Sequence, residues 1–443
     1  MMKIKLLSRN PDDHLRETKD DIRKVARNFD PKFHPFEASR EYVRALNATK
    51  LERTFAKPFI GCLEGHKDGL SVLKKHPTSL STLLSGAHDG EVKVWNLPTR
   101  KSISTVQAHT GVVNSICFHP KGKYFFTCGR DKTIKQWNVD EEFHIEEDPT
   151  NVILGQTLFH AIDHHWKDDI FATCGEQVDI WDESRAEPIR SYSWGVDSVQ
   201  SLKFNPVEHH LLGATACDRS IILYDMRGTA PLRKVLLQLK SNALAWNPME
   251  PFVFTVANED YNLYSFDMRN LSKPTNIHID HVNAVIDVDY CPTGREFVSA
   301  GWDKCIRIFA CNMGHSREVY FTKRMQRVQQ VQWSLDNKYI LSGSDEMNIR
   351  IWKAQASEKL GPLKPREKAA FNYNEKLKEK FGHHPEIKRI SRHRHVPKFI
   401  YRARKEIKTM KESEKRKEKH RMIHSKPEKE KSTREKVVLN VKE

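Results

Sequence analysis

The chain has 443 residues, with 74 Lys and Arg against 58 Asp and Glu and a formal net charge of +16. No apolar run approaches the roughly 20 residues of a membrane-spanning helix, and the basic stretch Met1 to Asn10 lacks the apolar segment of a secretory signal. The expectation is a soluble intracellular protein with no membrane partner.

Charge is unevenly spread. From Lys353 to Glu443 there are 29 Lys/Arg and 13 Asp/Glu, and from Met1 to Pro58 there are 14 and 9. Phe59 to Trp352 has 31 and 36. Basic ends on a slightly acidic body suit a module with an arm for anionic polymers. None of the eight cysteines forms a Cys-x-x-Cys pair. They read as small buried apolar residues of a reducing compartment, without a zinc or redox site.

Residues 1–56 form an N-terminal arm. Arg9-Asn10-Pro11 and Asn28-Phe29-Asp30-Pro31 read as extended, turn-rich chain. Ser39 could cap a helix through about Arg53, with Tyr42, Val43 and Leu46 on one side. Such a helix either packs on the body of the protein or grips a partner.

A repeat fills residues 57–352. S-G-A-H-D-G-E-V-K-V-W ends at Trp95, T-C-G-R-D-K-T-I-K-Q-W at Trp137 and T-C-G-E-Q-V-D-I-W at Trp181. Related phrases end at Tyr224, Phe266, Phe309 and Trp352, so the closing aromatics lie 42, 44, 43, 42, 43 and 43 residues apart. Each phrase alternates polar and apolar residues, as a half-buried strand should. Asp89, Asp131, Asp218, Asp260 and Asp303 stand six residues before the aromatic. The third copy is two residues shorter and lacks this Asp, and the seventh has Asp345 seven back. Phe118-His-Pro120, Phe204-Asn-Pro206, Trp246-Asn-Pro248 and Tyr290-Cys-Pro292 mark hairpin corners upstream. His66, His109 and His281 open the first, second and sixth copies.

These phrases resemble the WD-repeat family, with a period of about 40–45 residues and four strands per blade. The resemblance implies an all-β, seven-bladed propeller in which the blade His and Asp residues hold turns together by hydrogen bonds. Lys57 to Leu63 should pair with the seventh blade, tying the N-terminus into the ring and removing an open edge.

After Trp352 comes a basic helical tail, residues 353–443. Pro365 suits a helix start and Gly382 a stop, with Ala370, Tyr373, Leu377 and Phe381 on one face. Lys388, Arg389, Arg392 and Arg394 then cluster around two isoleucines as candidate phosphate contacts. His383, His384, His393 and His395 suggest a metal, but no Cys or acidic ligand completes a familiar spacing. A second helix should follow Pro397, with Ile400, Ala403, Ile407 and Met410 on its apolar face. Beyond Met410 the chain is charged nearly all round: solvent-bridging, disordered alone, or ordered by an anionic partner. Lys415, Arg416 and Lys417, near Lys419 and Arg421, could contact RNA or serve as a nuclear-localisation signal.

The linker N-A-T-K-L-E-R-T-F-A-K-P-F (Asn47 to Phe59) and the tail phrases S-E-K-L-G, K-L-K-E-K-F, H-H-P-E-I-K-R-I and R-H-R-H-V-P-K extend the likeness. So do I-D-H-H-W-K (Ile162 to Lys167) and S-D-E-M-N-I-R (Ser344 to Arg350). Across its whole length the chain resembles the WD-repeat and Sof-domain family. That resemblance implies a nucleolar scaffold of ribosome biogenesis, a small-subunit processome component needed for pre-18S rRNA processing. Its implied partners are pre-ribosomal RNA, the box C/D small nucleolar ribonucleoprotein and other processome proteins.

Metazoan members of this family also act as substrate receptors of a Cullin-RING ubiquitin ligase, reading the ligase adaptor through a W-D-x-R-like sequence. Tyr224-Asp225-Met226-Arg227 and Phe266-Asp267-Met268-Arg269 stand at that place in consecutive blades, with another aromatic for the Trp. Asp225, Arg227, Asp267 and Arg269 are therefore candidate adaptor contacts; as ordinary residues they would also make good turn and ion-pair partners. No phosphate-cradling glycine loop, nucleophile elbow or metal-ligand spacing is present, so no catalytic residue, cofactor or metal is expected.

Overall fold

The computed structural model describes residues 31–425 and 432–442. The turn-rich phrases at Arg9 to Pro11 and Asn28 to Asp30 lie outside them. Each repeat phrase supplies the second and third strands of a four-stranded antiparallel sheet, and seven such sheets form the blades. Blades 1 to 3 span residues 70–107, 113–154 and 161–192, and blades 4 to 6 span 199–237, 241–279 and 285–320. Blade 7 takes its inner three strands from 328–353 and its outermost from Phe59–Leu63.

That outermost strand pairs antiparallel with Ile349–Lys353, in the register Gly61↔Ile351 and Leu63↔Ile349. Ring closure therefore joins the beginning of the propeller to its end. Leu63 is buried with Leu70, Leu73 and Trp95 of blade 1 and Leu341, Ile349 and Ile351 of blade 7. The repeat tryptophans fill the sheet-to-sheet spaces: Trp95, Trp137 and Trp352 are fully buried.

The recurring Asp has one local role. Its carboxylate accepts the backbone N–H two residues on, at 3.1 Å from Asp89 to Glu91, 3.2 Å from Asp131 to Thr133 and 3.2 Å from Asp303 to Cys305. The intervening residue takes positive φ: 88° at Gly90, 59° at Lys132, 68° at Arg219, 73° at Tyr261 and 62° at Lys304. Asp thus stabilises a left-handed turn that most residues resist. In blade 1 only glycine fits, because a Cβ at Gly90 would collide with the carbonyl of His109.

The histidines build on this turn unevenly. In blade 2, Trp137 Nε1 donates to Thr127 Oγ1 at 3.1 Å, His109 Nε2 lies 2.9 Å from that hydroxyl, and His109 Nδ1 lies 2.8 Å from Asp131. Blade 6 keeps His281 against Asp303 at 2.9 Å and Ser299 at 2.7 Å, but Phe309 ends the chain of bonds. In blade 1, His66 and Trp95 both meet Ser85, yet Asp89 does not reach the ring, and His66 Nδ1 is buried without a partner. Burial, then the Lys93 charge, pushes His66 down to about 4. Trp181 and Trp352 bond Thr173 and Ser342 at 2.8 and 2.9 Å. Asp218 meets Ser220 and Lys234, and Asp260 meets Asn262 and Tyr264.

The compact units do not follow chain order. Among the described residues, one comprises 59–354 with the stretch from 396 onward, and the other 31–58 with 355–395. In the second unit, helix α1 (Glu37–Thr54) packs with α2 (Pro365–Phe381) and α3 (Pro385–Arg392) around Ala45, Tyr373, Leu377 and Ile387. Helix α1 starts two residues before Ser39, which is not its cap. Its buried stripe is Glu41, Ala45 and Thr49, whereas Val43 is half exposed. Glu41 is tolerated there because Lys380 reaches it at 2.9 Å. Lys378 pairs with Glu52 at 2.8 Å, and Arg53 donates to the Ser391 carbonyl at 2.8 Å. Helix α2 starts at Pro365, with Gly382 at its C-cap.

In the first unit, α4 (Lys398–His424) buries Ile400, and Arg404 pairs with Asp280 at 3.1 Å. The chain then returns as Val438–Lys442, a fifth strand on blade 4, with Val235↔Val441 and Leu237↔Val438 in register. Val437 is buried with Leu244, Trp246 and Phe254. Among the described residues no helix is long and apolar enough to cross a membrane.

Two outcomes follow. A chain starting at residue 64 should melt below the intact protein, with faster amide exchange in 328–353; equal melting would rule out the strand's part in closure. Asp303 and His281 side chains are both fully buried. Burial alone would raise the Asp303 carboxyl, but His281 and Arg307 outweigh it and hold it below the usual range. A depressed carboxyl contributes stability above its unfolded value, about 3.9, and loses it as pH falls through the lower folded value. Asp303→Ala should therefore cost about 3 kcal/mol at pH 7 in urea titration, and less below about pH 4. Asp89→Ala, whose carboxylate meets no histidine, should cost about 1 kcal/mol.

Candidate partner-binding sites

Asp225 and Asp267 end the third strands of blades 4 and 5. Each accepts the N–H of the arginine two residues on, at 2.9 and 3.0 Å. The same guanidinium folds back in a two-pronged contact: Arg227 Nε and Nη2 at 3.1 and 2.8 Å from Asp225, Arg269 at 3.0 and 2.8 Å from Asp267. These hydrogen bonds hold both carboxyls below their usual range. One geometry therefore serves the turn and leaves the arginine accessible. Asp fixes the turn and the arginine's pose, and about two thirds of each arginine side chain remains in solvent.

Neighbouring blades hold these turns. Arg190 donates to the Met226 carbonyl at 2.6 Å and Tyr192 to the Gly228 carbonyl at 2.9 Å. Arg233 takes the equivalent place toward the Met268 carbonyl, at 3.4 Å. Arg269 lies over the Phe252 ring at 4.8 Å. The aromatics Tyr224 and Phe266 are buried in the blades, so each turn presents its Asp-Met-Arg segment at the surface and not the aromatic.

The basic tail residues sit on two different supports. Lys388, Arg389 and Arg392 are exposed on α3, whose Ile387 anchors it to α1 and α2. Arg394 is partly buried and donates to the carbonyls of Ser391 and His393 at 2.5 and 3.0 Å, closing the C-terminal end of α3. Lys415, Arg416 and Lys417 are exposed on α4, so the two clusters belong to different compact units. His384 packs its ring 4.4 Å from Tyr42, and His393 caps α3.

Among the described residues, His119, His164 and Glu183 bring ligand-type atoms within 4.8 Å of one another. Each already has a hydrogen-bond partner. His164 lies 2.6 Å from the His165 carbonyl and 2.7 Å from Glu183, Tyr124 donates to Glu183 at 2.5 Å, and His119 lies 3.2 Å from Asp169. A polar lattice joining blades 2 and 3 accounts for these contacts. The eight cysteines are free thiols, five of them buried.

Sequence reasoning did not find α3 as a helix or Val438–Lys442 as a strand. Pro385 at a helix start was one available signal, and the apolar run Val437-Val438-Leu439 in a charged tail was another. The pairing of α1 with α2 carries no local signal, because it joins segments that precede and follow the propeller in sequence.

Comparison with known proteins fits this architecture. The WD domain, G-beta repeat family matches residues 57–96, 100–138, 272–309 and 316–353, and the Sof1-like domain family matches 354–438. The chain is 62% identical over 427 residues to DDB1- and CUL4-associated factor 13 of Xenopus laevis, covering 96% of each. It is 61% identical over 427 residues to the Homo sapiens protein of that name, again covering 96% of each. It is 46% identical over 433 residues to Protein SOF1 of Saccharomyces cerevisiae, covering 92% of this chain and 88% of that one. With a propeller of WD repeats and a C-terminal Sof1-like domain matched along nearly its whole length, the chain belongs to the Sof1-like family of WD-repeat proteins.

Proposed function

We propose that this protein is a non-catalytic scaffold of nucleolar ribosome biogenesis, a component of the small-subunit processome needed for pre-18S rRNA processing. On this reading it works in the nucleus and nucleolus. Its partners are pre-ribosomal RNA, the box C/D small nucleolar ribonucleoprotein and other processome proteins. The observation that carries the reading is the presentation of charge. A propeller region with more acidic than basic residues is joined to cations on two anchored helices. Lys388, Arg389 and Arg392 on one, and Lys415, Arg416 and Lys417 on the other, can meet phosphates without ordering a flexible chain first. Functionally the chain divides into an N-terminal arm (1–56), a docking propeller (57–352) and an RNA-facing tail (353–443).

Lys388→Gln, Arg389→Gln and Arg392→Gln together should weaken binding of a fluorescein-labelled pre-18S RNA fragment. They should flatten the logarithmic salt dependence by about 2, at about 0.7 per lost phosphate contact. Arg394 is left intact in this variant because its change would also unsettle α3. Unchanged affinity and slope would remove α3 from the RNA interface.

A second role, substrate receptor of a Cullin-RING ubiquitin ligase, is favoured by the twin Asp-Met-Arg turns. It also fits the 61–62% identity to relatives named for DDB1 and CUL4. Arg227→Glu with Arg269→Glu should abolish co-purification of the ligase adaptor from cells while the melting temperature stays within about 2 °C. Unchanged recovery of the adaptor would sink this role for these turns.

A further inference from the structure

The propeller's central channel opens, at the end carrying the hairpin corners, into a cavity of about 400 Å³. Pro77, Pro120, Pro206, Pro248 and Pro292 ring its mouth, and Trp166, half exposed, stands at the same position in blade 3. Below this apolar rim the innermost strands place charges. Lys74 Nζ lies 3.3 Å from Asp163 Oδ1, and Lys203 Nζ lies 3.7 Å from the same oxygen. Asp163's other oxygen is engaged by the Phe204 N–H at 2.9 Å. Lys75 pairs with Asp289 at 3.3 Å and donates to the Trp333 carbonyl at 2.8 Å.

The cavity wall thus holds three ammonium groups and two carboxylates. Two of the ammoniums share one carboxylate oxygen. Burial and the neighbouring Lys203 charge push the Lys74 pKa down, whereas at Lys203 burial is outweighed by the charges of Asp163, Asp287 and Asp289, which push it up, so Lys74 is the less compensated of the two. A second observation is independent of charge. Gln332 Oε1, on the same wall, is buried and accepts no hydrogen bond among the described residues. Buried acceptors are rarely left without a donor.

We propose that this cavity is a docking site for an acidic peptide of a partner protein, with one Asp or Glu side chain entering between Lys74 and Lys203. The carboxylate supplies the missing counter-charge and a backbone N–H or side-chain amide of the peptide meets Gln332 Oε1. Apolar residues flanking the acid pack on Trp166 and the prolines. With Asp287 beside Lys203 only partly charged near neutrality, the three ammonium groups exceed the carboxylates by less than one charge, which one carboxylate matches better than a run of phosphates. The slightly acidic propeller region also disfavours a polyanion. This site is separate from the tail cations and from the Asp-Met-Arg turns.

The test is selection of a phage-displayed random dodecapeptide library on the full-length protein, followed by anisotropy with resynthesised, fluorescein-labelled peptides. Enriched sequences should share an Asp or Glu within two residues of an aromatic or aliphatic side chain. Changing that acid to Asn or Gln should weaken binding at least tenfold. Lys203→Met should do the same with unchanged melting temperature, while Lys203→Arg retains most of the affinity. Should Lys203→Met fail to fold, Trp166→Ala, at the exposed rim, should weaken the same peptides at least fivefold. The proposal is overturned if the selected peptides share no acid, or bind equally to Lys203→Met or, in its place, Trp166→Ala. It is equally overturned if an oligouridine dodecamer binds with comparable affinity and loses it in the same variant, which would make the cavity an RNA site.

Discussion

Everything in the propeller depends on closing a ring. Each blade is a sheet with apolar residues on both faces, so it is stable only between two neighbours. A linear stack would leave two such faces wet; a ring leaves none. The five residues Phe59–Leu63 complete this geometry by adding a strand from the start of the propeller to its final sheet. Trp95 and Trp352, the closing aromatics of blades 1 and 7, are buried on either side of that junction.

Polar side chains stitch the blades together along the channel, where backbone groups of the innermost strands have no further strand to pair with. Asp163 of blade 3 takes the Phe204 N–H of blade 4; Asp287 and Asp289 of blade 6 take those of Val331 and Trp333 in blade 7. Ser71 and Asn242 donate to the Val113 and Val285 carbonyls of the following blades. Carboxylates placed for this structural reason create a channel that needs cations, and Lys74, Lys75 and Lys203 answer them. Burial drives the Asp287 carboxyl up to about 7, so its charge near neutrality is only partial. Structural stitching and an electrostatically unbalanced cavity are thus two aspects of one arrangement.

Much of the fold was legible because propeller signals are local and repeated. Alternating apolar residues and a closing aromatic recur in seven copies, most of them with an Asp and a left-handed turn within the same dozen residues, and the copies reinforce one another. The closing strand was legible only through the resemblance to WD-repeat proteins, which puts an outermost strand at Lys57 to Leu63, and Phe59–Leu63 forms it. Legibility failed where contacts join distant segments without a period. Helix α1 exposes Val43 and buries Glu41 because Lys380, far along the chain, reaches it. Arg394 looked like the other tail cations, yet local geometry turns it back on its own helix. The histidine lattice was read too uniformly: His66 lies in a fully formed blade but does not meet Asp89. Lys74, Asp163 and Lys203 occupy one cavity from three blades, and no spacing in sequence announces that meeting.

The strand that completes blade 7 also sets a timetable for the nascent chain. Phe59–Leu63 leaves the ribosome long before its partner Ile349–Lys353 is made. At about 5–20 residues per second, that interval lasts roughly 15 to 60 s. During it, blades 1 to 6 can form in succession, each lying on the one before, while the first strand remains a bare edge able to recruit the wrong neighbour. The strand Val438–Lys442 docks on blade 4 long after blade 4 itself has been made. The molecule therefore cannot mature strictly from front to back: its first propeller strand and its last are both installed late, and a cell making it must shelter an open ring meanwhile.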